Sequence, residues 1–156
     1  EVVARLVAVS SGQPASFEGG SVAVLAALRA LGIDTSAVTL DDGSGLSQHS
    51  RVPAQVLADV LFTARHDPTL RMAIKGLPIA GMTGTLSGRM WYSDALGTVR
   101  AKTGSLPGVT TLAGLIYTAD GRELIFAVMQ NGTTDGQLGP RKVENLFLET
   151  LAGCGC

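Results

Sequence analysis

Charge is scarce in this sequence. Asp, Glu, Lys and Arg make up 16% of 156 residues and the net charge is −1. The three lysines, Lys75, Lys102 and Lys142, stand far apart, and no basic cluster forms. Nucleic acid and anionic membrane surfaces are therefore not the expected partners. No apolar run reaches the roughly 18–20 residues of a membrane span. Val22 to Leu31 comes nearest, and Arg29 interrupts it. Cysteine is confined to Cys154 and Cys156, which read as a terminal structural feature or as free thiols. His49 and His66 have no metal-ligand spacing, and no metal or organic cofactor is expected. A phosphate loop and a Gly-x-Ser-x-Gly nucleophile elbow are both missing. What remains is a globular composition, 46% hydrophobic, long enough for one core.

The order of elements points to an α+β fold. Residues 1–9 read as helix interior from the outset, with no cap residue and no initiator Met, so an upstream segment is expected. Ser10 to Pro14 breaks this helix. A second helix is predicted from Gly20 to Leu31, ended by Gly32. Residues 37–40 could form a short strand. Val52-Pro53 opens a third helix with Leu57, Val60, Leu61 and Ala64 on one face, and a short helix follows at 69–75. Residues 99–105, 110–118 and 123–130 read as strands. Asp120-Gly121 between the last two is a hairpin signal, because the turn needs a positive φ. Residues 142–151 read as a closing helix with Val143, Leu146, Phe147 and Leu151 inward. Strands in direct succession favour α+β over a doubly wound α/β fold.

Two segments could carry chemistry. In Lys102-Thr103-Gly104-Ser105, a strand places residues 102 and 104 on one face and 103 and 105 on the other. A long ammonium beside hydroxyls suits a carboxylate or an oxyanion. Gly104, lacking a side chain, would let a ligand approach the backbone, and the strand edge could pair with an extended peptide. The plainer reading is an exposed strand lysine before a turn. In Asp42-Gly43-Ser44-Gly45-Leu46-Ser47, hydroxyls on a glycine-rich loop could bind a ligand or serve a structural turn. Asp41 and Asp42, adjacent in sequence, read as loop solvation. The two histidines read as surface or cap residues, Asn131-Gly132 as a turn, and Trp91 and Tyr92 as core.

Taken together, several stretches resemble the class C penicillin-binding proteins, the D-alanyl-D-alanine carboxypeptidase/endopeptidase family. They are Asp42 to Ser47, Arg51-Val52-Pro53-Ala54, Leu77 to Gly81, Gly84-Thr85-Leu86, Arg89-Met90, Ala101 to Leu106, Gly108-Val109 and Leu112-Ala113-Gly114. The resemblance covers nearly the whole chain. It implies the C-terminal portion of the penicillin-binding, serine β-lactamase-like transpeptidase fold, with residues 1–156 as the C-terminal part of a peptidase domain. The implied activity is acyl transfer on peptidoglycan stem peptides, outside the cytoplasmic membrane, and sensitivity to β-lactam antibiotics. Lys102 would carry proton traffic and positive charge. Thr103 and Ser105 would bind the terminal carboxylate, and the Ser105 N–H would serve an oxyanion. Ser44 and Ser47 match a signature near the family's pocket.

The sequence departs from the family in three ways. The nucleophile belongs to Ser-x-x-Lys, yet the residues three before the lysines are Met72, Val99 and Gly139. The family's Ser-x-Asn would end just upstream of Glu1. Many relatives carry Arg after Gly-Leu-Ser; Gln48 stands here, and a different stem-peptide preference is expected. Missing N-terminal residues of the same protein are thus an expected partner. Two rival functions remain open: a β-lactamase-like hydrolase, and a catalytically inactive peptidoglycan-binding scaffold.

Overall fold

The computed structural model describes residues 1–134 and 136–155. They form two compact units, Glu1–Val60 and Leu61–Cys156.

The first unit is built on close helix contact. α1 spans Val2–Ser10 and α2 spans Phe17–Ala30. Helix α2 starts a turn earlier than its apolar pattern indicates. The Ser16 hydroxyl accepts the Gly19 N–H, so an N-cap sets the start ahead of the periodicity. Gly19 and Gly20 make room. A Cβ on Gly19 would lie 2.0 Å from the Pro14 carbonyl oxygen, and one on Gly20 would touch Ala4 at 3.4 Å. Residues 37–40 do not form a full strand. Thr39 makes a single antiparallel bridge to Arg51, closing the glycine-rich loop between them. α3, Ala54–His66, follows, and its residues are divided between the two units.

The second unit holds the sheet. α4 is Arg71–Lys75, and a 3-10 turn occupies Gly84–Leu86. The strands are β1 Val99–Leu106, β2 Val109–Tyr117 and β3 Glu123–Asn131, in the order β1-β2-β3 and antiparallel throughout. Gly121 takes φ +82° in the β2–β3 connection, as the Asp-Gly signal requires. Val99, Ala101, Leu112, Ile116 and Phe126 of the sheet pack with Leu86, Met90 and Leu148 in one buried cluster. Each large side chain fully buried there contributes about 1.5–3 kcal/mol. Gly114 faces Ala101 across β1–β2, and a Cβ on it would lie 2.0 Å from the Arg100 carbonyl oxygen. The two strands therefore meet closely just before Lys102.

α5 runs from Leu138 to Ala152, longer than predicted, and it faces a different way. Its buried row is Pro140, Glu144, Leu148 and Ala152, and Leu151 packs against the core as expected, while Val143, Leu146 and Phe147 are exposed. The reason is a carboxylate. Glu144 is wholly buried and pairs with Arg89 at 2.9 Å, so a charged residue occupies the inward face. Trp91 and Tyr92 are exposed rather than core residues; their rings stack on each other with centroids 3.7 Å apart. Gly132 adopts φ +70°, in keeping with a turn after β3. Cys154 is disulfide-bonded, which removes its free-thiol reading; Cys156 lies outside the described residues. No helix among the described residues is long and apolar enough to cross a membrane.

Candidate active site

β1 is an edge strand, and among the described residues no backbone hydrogen bond covers the second half of its outer edge. Residues 78–80 cover the first part: the Ala101 N–H donates to the Pro78 carbonyl and the Ala80 N–H to the Val99 carbonyl, both at 3.0 Å. Residues 99 and 101 therefore turn their peptide groups away from β2. In an antiparallel ladder this direction alternates with period two. Thr103 and Ser105 continue the outward set, beyond the stretch that residues 78–80 cover. The Ser105 N–H and the Thr103 carbonyl thus point off the edge of the sheet, where an extended ligand can pair with them.

The side chains sort by the same parity. Lys102 is exposed, and its ammonium donates to the Thr103 carbonyl at 2.6 Å. On the other face, the Thr103 hydroxyl donates to the Thr85 hydroxyl at 3.1 Å, and the Ser105 hydroxyl accepts from Arg141 at 3.4 Å. Gly104 also serves the packing of the two strands. A Cβ there would lie 2.3 Å from the Thr111 hydroxyl of β2, so the space it leaves is filled by the neighbouring strand. A cavity of about 500 Å³ opens beside Thr103, bounded by Thr85 and Gly88 on one side and by Leu138, Arg141 and Asn145 of α5 on the other.

In the first unit, the glycine-rich loop is organised by Asp42. Its buried carboxylate accepts from the Ser44 hydroxyl, the Leu46 N–H at 2.9 Å, and more distantly from the Ser47 N–H and the Ser50 hydroxyl. The Ser44 hydroxyl bond, foremost, holds the Asp42 pKa below the ordinary value of 3.8. The reading of Asp42 as a solvated loop residue is therefore wrong; it is the hub of the turn. Ser47 donates to Asp41 at 2.6 Å. Both serine protons are thus committed to aspartates, and the Ser47 oxygen also accepts from the His49 N–H at 3.1 Å, so Ser44 has the freer acceptor oxygen. Gln48 has an exposed side chain, and its carbonyl accepts from Arg51 at 2.6 Å. Glu1 ties the loop to α1: it accepts from Arg5 at 2.9 Å and from the Gly43 N–H at 3.0 Å. These bonds, Arg5 first, lower its pKa.

His49 and His66 lie at the surface. The His66 ring bonds the Phe62 carbonyl, and His49 approaches Asp41 at 3.8 Å. Among the described residues no group of three or more His, Cys, Asp or Glu could hold a metal ion. Thr85 enters the sequence reading only inside the Gly84-Thr85-Leu86 stretch and Arg141 not at all, because each meets β1 only through tertiary packing. Asp42 had a local signal, an Asp-Gly-Ser-Gly run that favours a side-chain-to-backbone turn.

Known proteins share this arrangement of elements. A carboxypeptidase, DacB, of Mycolicibacterium smegmatis is 44% identical over 162 residues, covering 100% of this chain and 35% of its own length. A carboxypeptidase of Mycobacterium tuberculosis is 37% identical over 166 residues, with 100% and 34% covered. The chain thus spans about a third of these relatives. The crystal structure of penicillin binding protein 4 from Haemophilus influenzae, in complex with a β-lactam, superposes with a TM-score of 0.84 at 36% identity. It covers 97% of this chain and 37% of that one. The α+β architecture is thereby that of a penicillin-binding protein. The D-Ala-D-Ala carboxypeptidase 3 (S13) family matches residues 1–149, and this chain belongs to that family.

Proposed function

We propose that this chain is the C-terminal part of a domain that hydrolyses D-Ala-D-Ala ends or cross-links of peptidoglycan stem peptides through a serine acyl-enzyme. The observation that carries this reading is the open edge of β1 at Lys102–Ser105, in a chain that matches the family over residues 1–149. The nucleophile comes from elsewhere in the polypeptide, since no serine precedes Lys75, Lys102 or Lys142 by three residues. Exposed apolar side chains support this partition. Val2, Val3, Leu6 and Val9 on α1, with Val143 and Leu146 on α5, face solvent, and apolar surface of this extent is normally covered. The rest of the domain is its natural cover.

In this reaction the serine attacks the penultimate D-Ala carbonyl, D-Ala leaves, and water releases the acyl group. The Ser105 N–H, directed off the strand edge, donates to the carbonyl oxygen as charge develops on it. Lys102 supplies positive charge and moves protons near the attacked carbonyl. The Thr103 and Ser105 hydroxyls hold the substrate's terminal carboxylate. Gly104 keeps β1 close to β2 so that this edge stays straight. Ser44 and Ser47 present acceptor oxygens to the stem peptide. Gln48 offers an amide where many relatives offer a guanidinium, favouring a neutral stem-peptide group. β-Lactams, which carry a carboxylate beside a strained carbonyl, compete for the same groups. Such substrates lie outside the cytoplasmic membrane, and the protein belongs there.

Release of D-Ala from an acyl-D-Ala-D-Ala peptide by the full-length gene product tests this. The wild type should turn over, and Lys102→Ala should lower kcat/KM about 100-fold or more. A folded full-length protein that releases no D-Ala contradicts the reading, and so does a Lys102→Ala variant of undiminished activity.

A further inference from the structure

We propose that Arg141, on the first turn of α5, is a specificity-determining residue that grips the C-terminal carboxylate of the substrate beside Thr103 and Ser105. The inference rests on the acyl-transfer reading above. Its basis is the placement and the state of this one guanidinium.

Arg141 is half-buried and reaches across to the open end of β1, where its Nη2 lies 3.4 Å from the Ser105 hydroxyl oxygen. The same nitrogen donates to the Gln137 side-chain oxygen one turn earlier. Both acceptors are neutral, and none of the ion pairs among the described residues involves Arg141. Its neighbour Arg89 is different: it is spent on Glu144 and on Asn145, at 2.9 and 2.8 Å. Among the described residues, Arg141 thus brings a positive charge to the cavity wall with only uncharged side chains as partners.

The cavity beside Thr103 has about 500 Å³, within the range of small-ligand sites. Among the described residues its rim carries Arg89, Arg141 and Lys142 and no carboxylate. Thr103 and Ser105 share this face by strand parity, whereas Lys102 lies on the opposite one. A carboxylate seated against these two hydroxyls meets the guanidinium at hydrogen-bond distance. The present contact to Ser105 is at the long limit of a hydrogen bond. An anion accepting from both groups replaces it with charge-assisted bonds, and a guanidinium offers the paired donors that a carboxylate fits. Arg141 therefore favours a peptide with a free C-terminus over one whose terminus is blocked.

The test uses the full-length protein and two peptides, acyl-D-Ala-D-Ala and its C-terminal carboxamide. The readout is the ratio of their kcat/KM values. Arg141→Ala should reduce that ratio about 10- to 100-fold, mainly through KM for the free acid. Arg141→Lys, which keeps the charge, should retain part of the preference. Thermal melting reports whether each variant is folded, and Arg141→Gln serves if the alanine variant is not. A wild-type ratio well above one that stays unchanged in a folded Arg141→Ala or Arg141→Gln variant overturns the proposal and leaves the acyl-transfer reading intact. A wild type that cleaves neither peptide removes the acyl-transfer reading first, and this inference with it.

Discussion

Asp42 shows how a single carboxylate can set a loop. With its pKa held below the ordinary value, chiefly by the Ser44 bond, it favours the folded state when ionised. A depressed folded-state pKa gives stability that is complete above the unfolded value and is lost as pH falls through the folded one. The loop should therefore loosen in acid below about pH 4. Asp42→Ala removes the common acceptor of two hydroxyls and two backbone amides. It should cost about 2–3 kcal/mol, against about 1 kcal/mol for Ser44→Ala, read as shifts in denaturant midpoint. Equal costs would mean that Asp42 is not the hub. The adjacent pair Asp41-Asp42 reads as solvated because sequence cannot say that Leu46 and Ser50 fold back on one of the two. Ser105 is the opposite case. Strand parity, readable in the sequence, places its side chain with Thr103, and the bonds at Val99 and Ala101 then direct its N–H off the edge.

Among the elements, α5 has the most exacting attachment. Glu144 is fully buried against Arg89, and its second oxygen has no hydrogen-bond partner. Arg89→Met strands that charge in the core and should cost about 3–5 kcal/mol. Adding Glu144→Leu should restore most of the loss, because a matched apolar pair fills the same space without desolvation. Chemical denaturation of the single and double variants checks this; a double variant as unstable as Arg89→Met would contradict it. The same pair explains why α5 was misread. Amphipathic reasoning turns Val143, Leu146 and Phe147 inward and Glu144 outward, and only the distant Arg89 reverses that choice. The strands were legible to within a residue or two, since their β-branched runs and the Asp120-Gly121 turn are local signals. The start of α2 was not, because the Ser16 cap overrides Gly19 and Gly20, whose missing side chains serve contact with Pro14 and Ala4.

At the scale of the whole molecule, the chain carries the Lys-Thr-Gly-Ser strand and spans about a third of its relatives. The Lys-Thr-Gly-Ser strand could be found in the sequence because it is contiguous. Its supports, Thr85 and Arg141, are 18 and 36 residues away along the chain from the groups they bond, and only folding brings them together. The central claim is that these residues furnish the substrate-pairing edge of a serine acyl-enzyme whose nucleophile they lack. Fluorescent penicillin tests it most directly, with the 156-residue chain and the full-length gene product run side by side on a denaturing gel. The expected result is a labelled full-length band and an unlabelled chain. A labelled chain would place a nucleophile within these residues, and an unlabelled, folded full-length protein would mean that no acyl-enzyme forms; either result contradicts the claim.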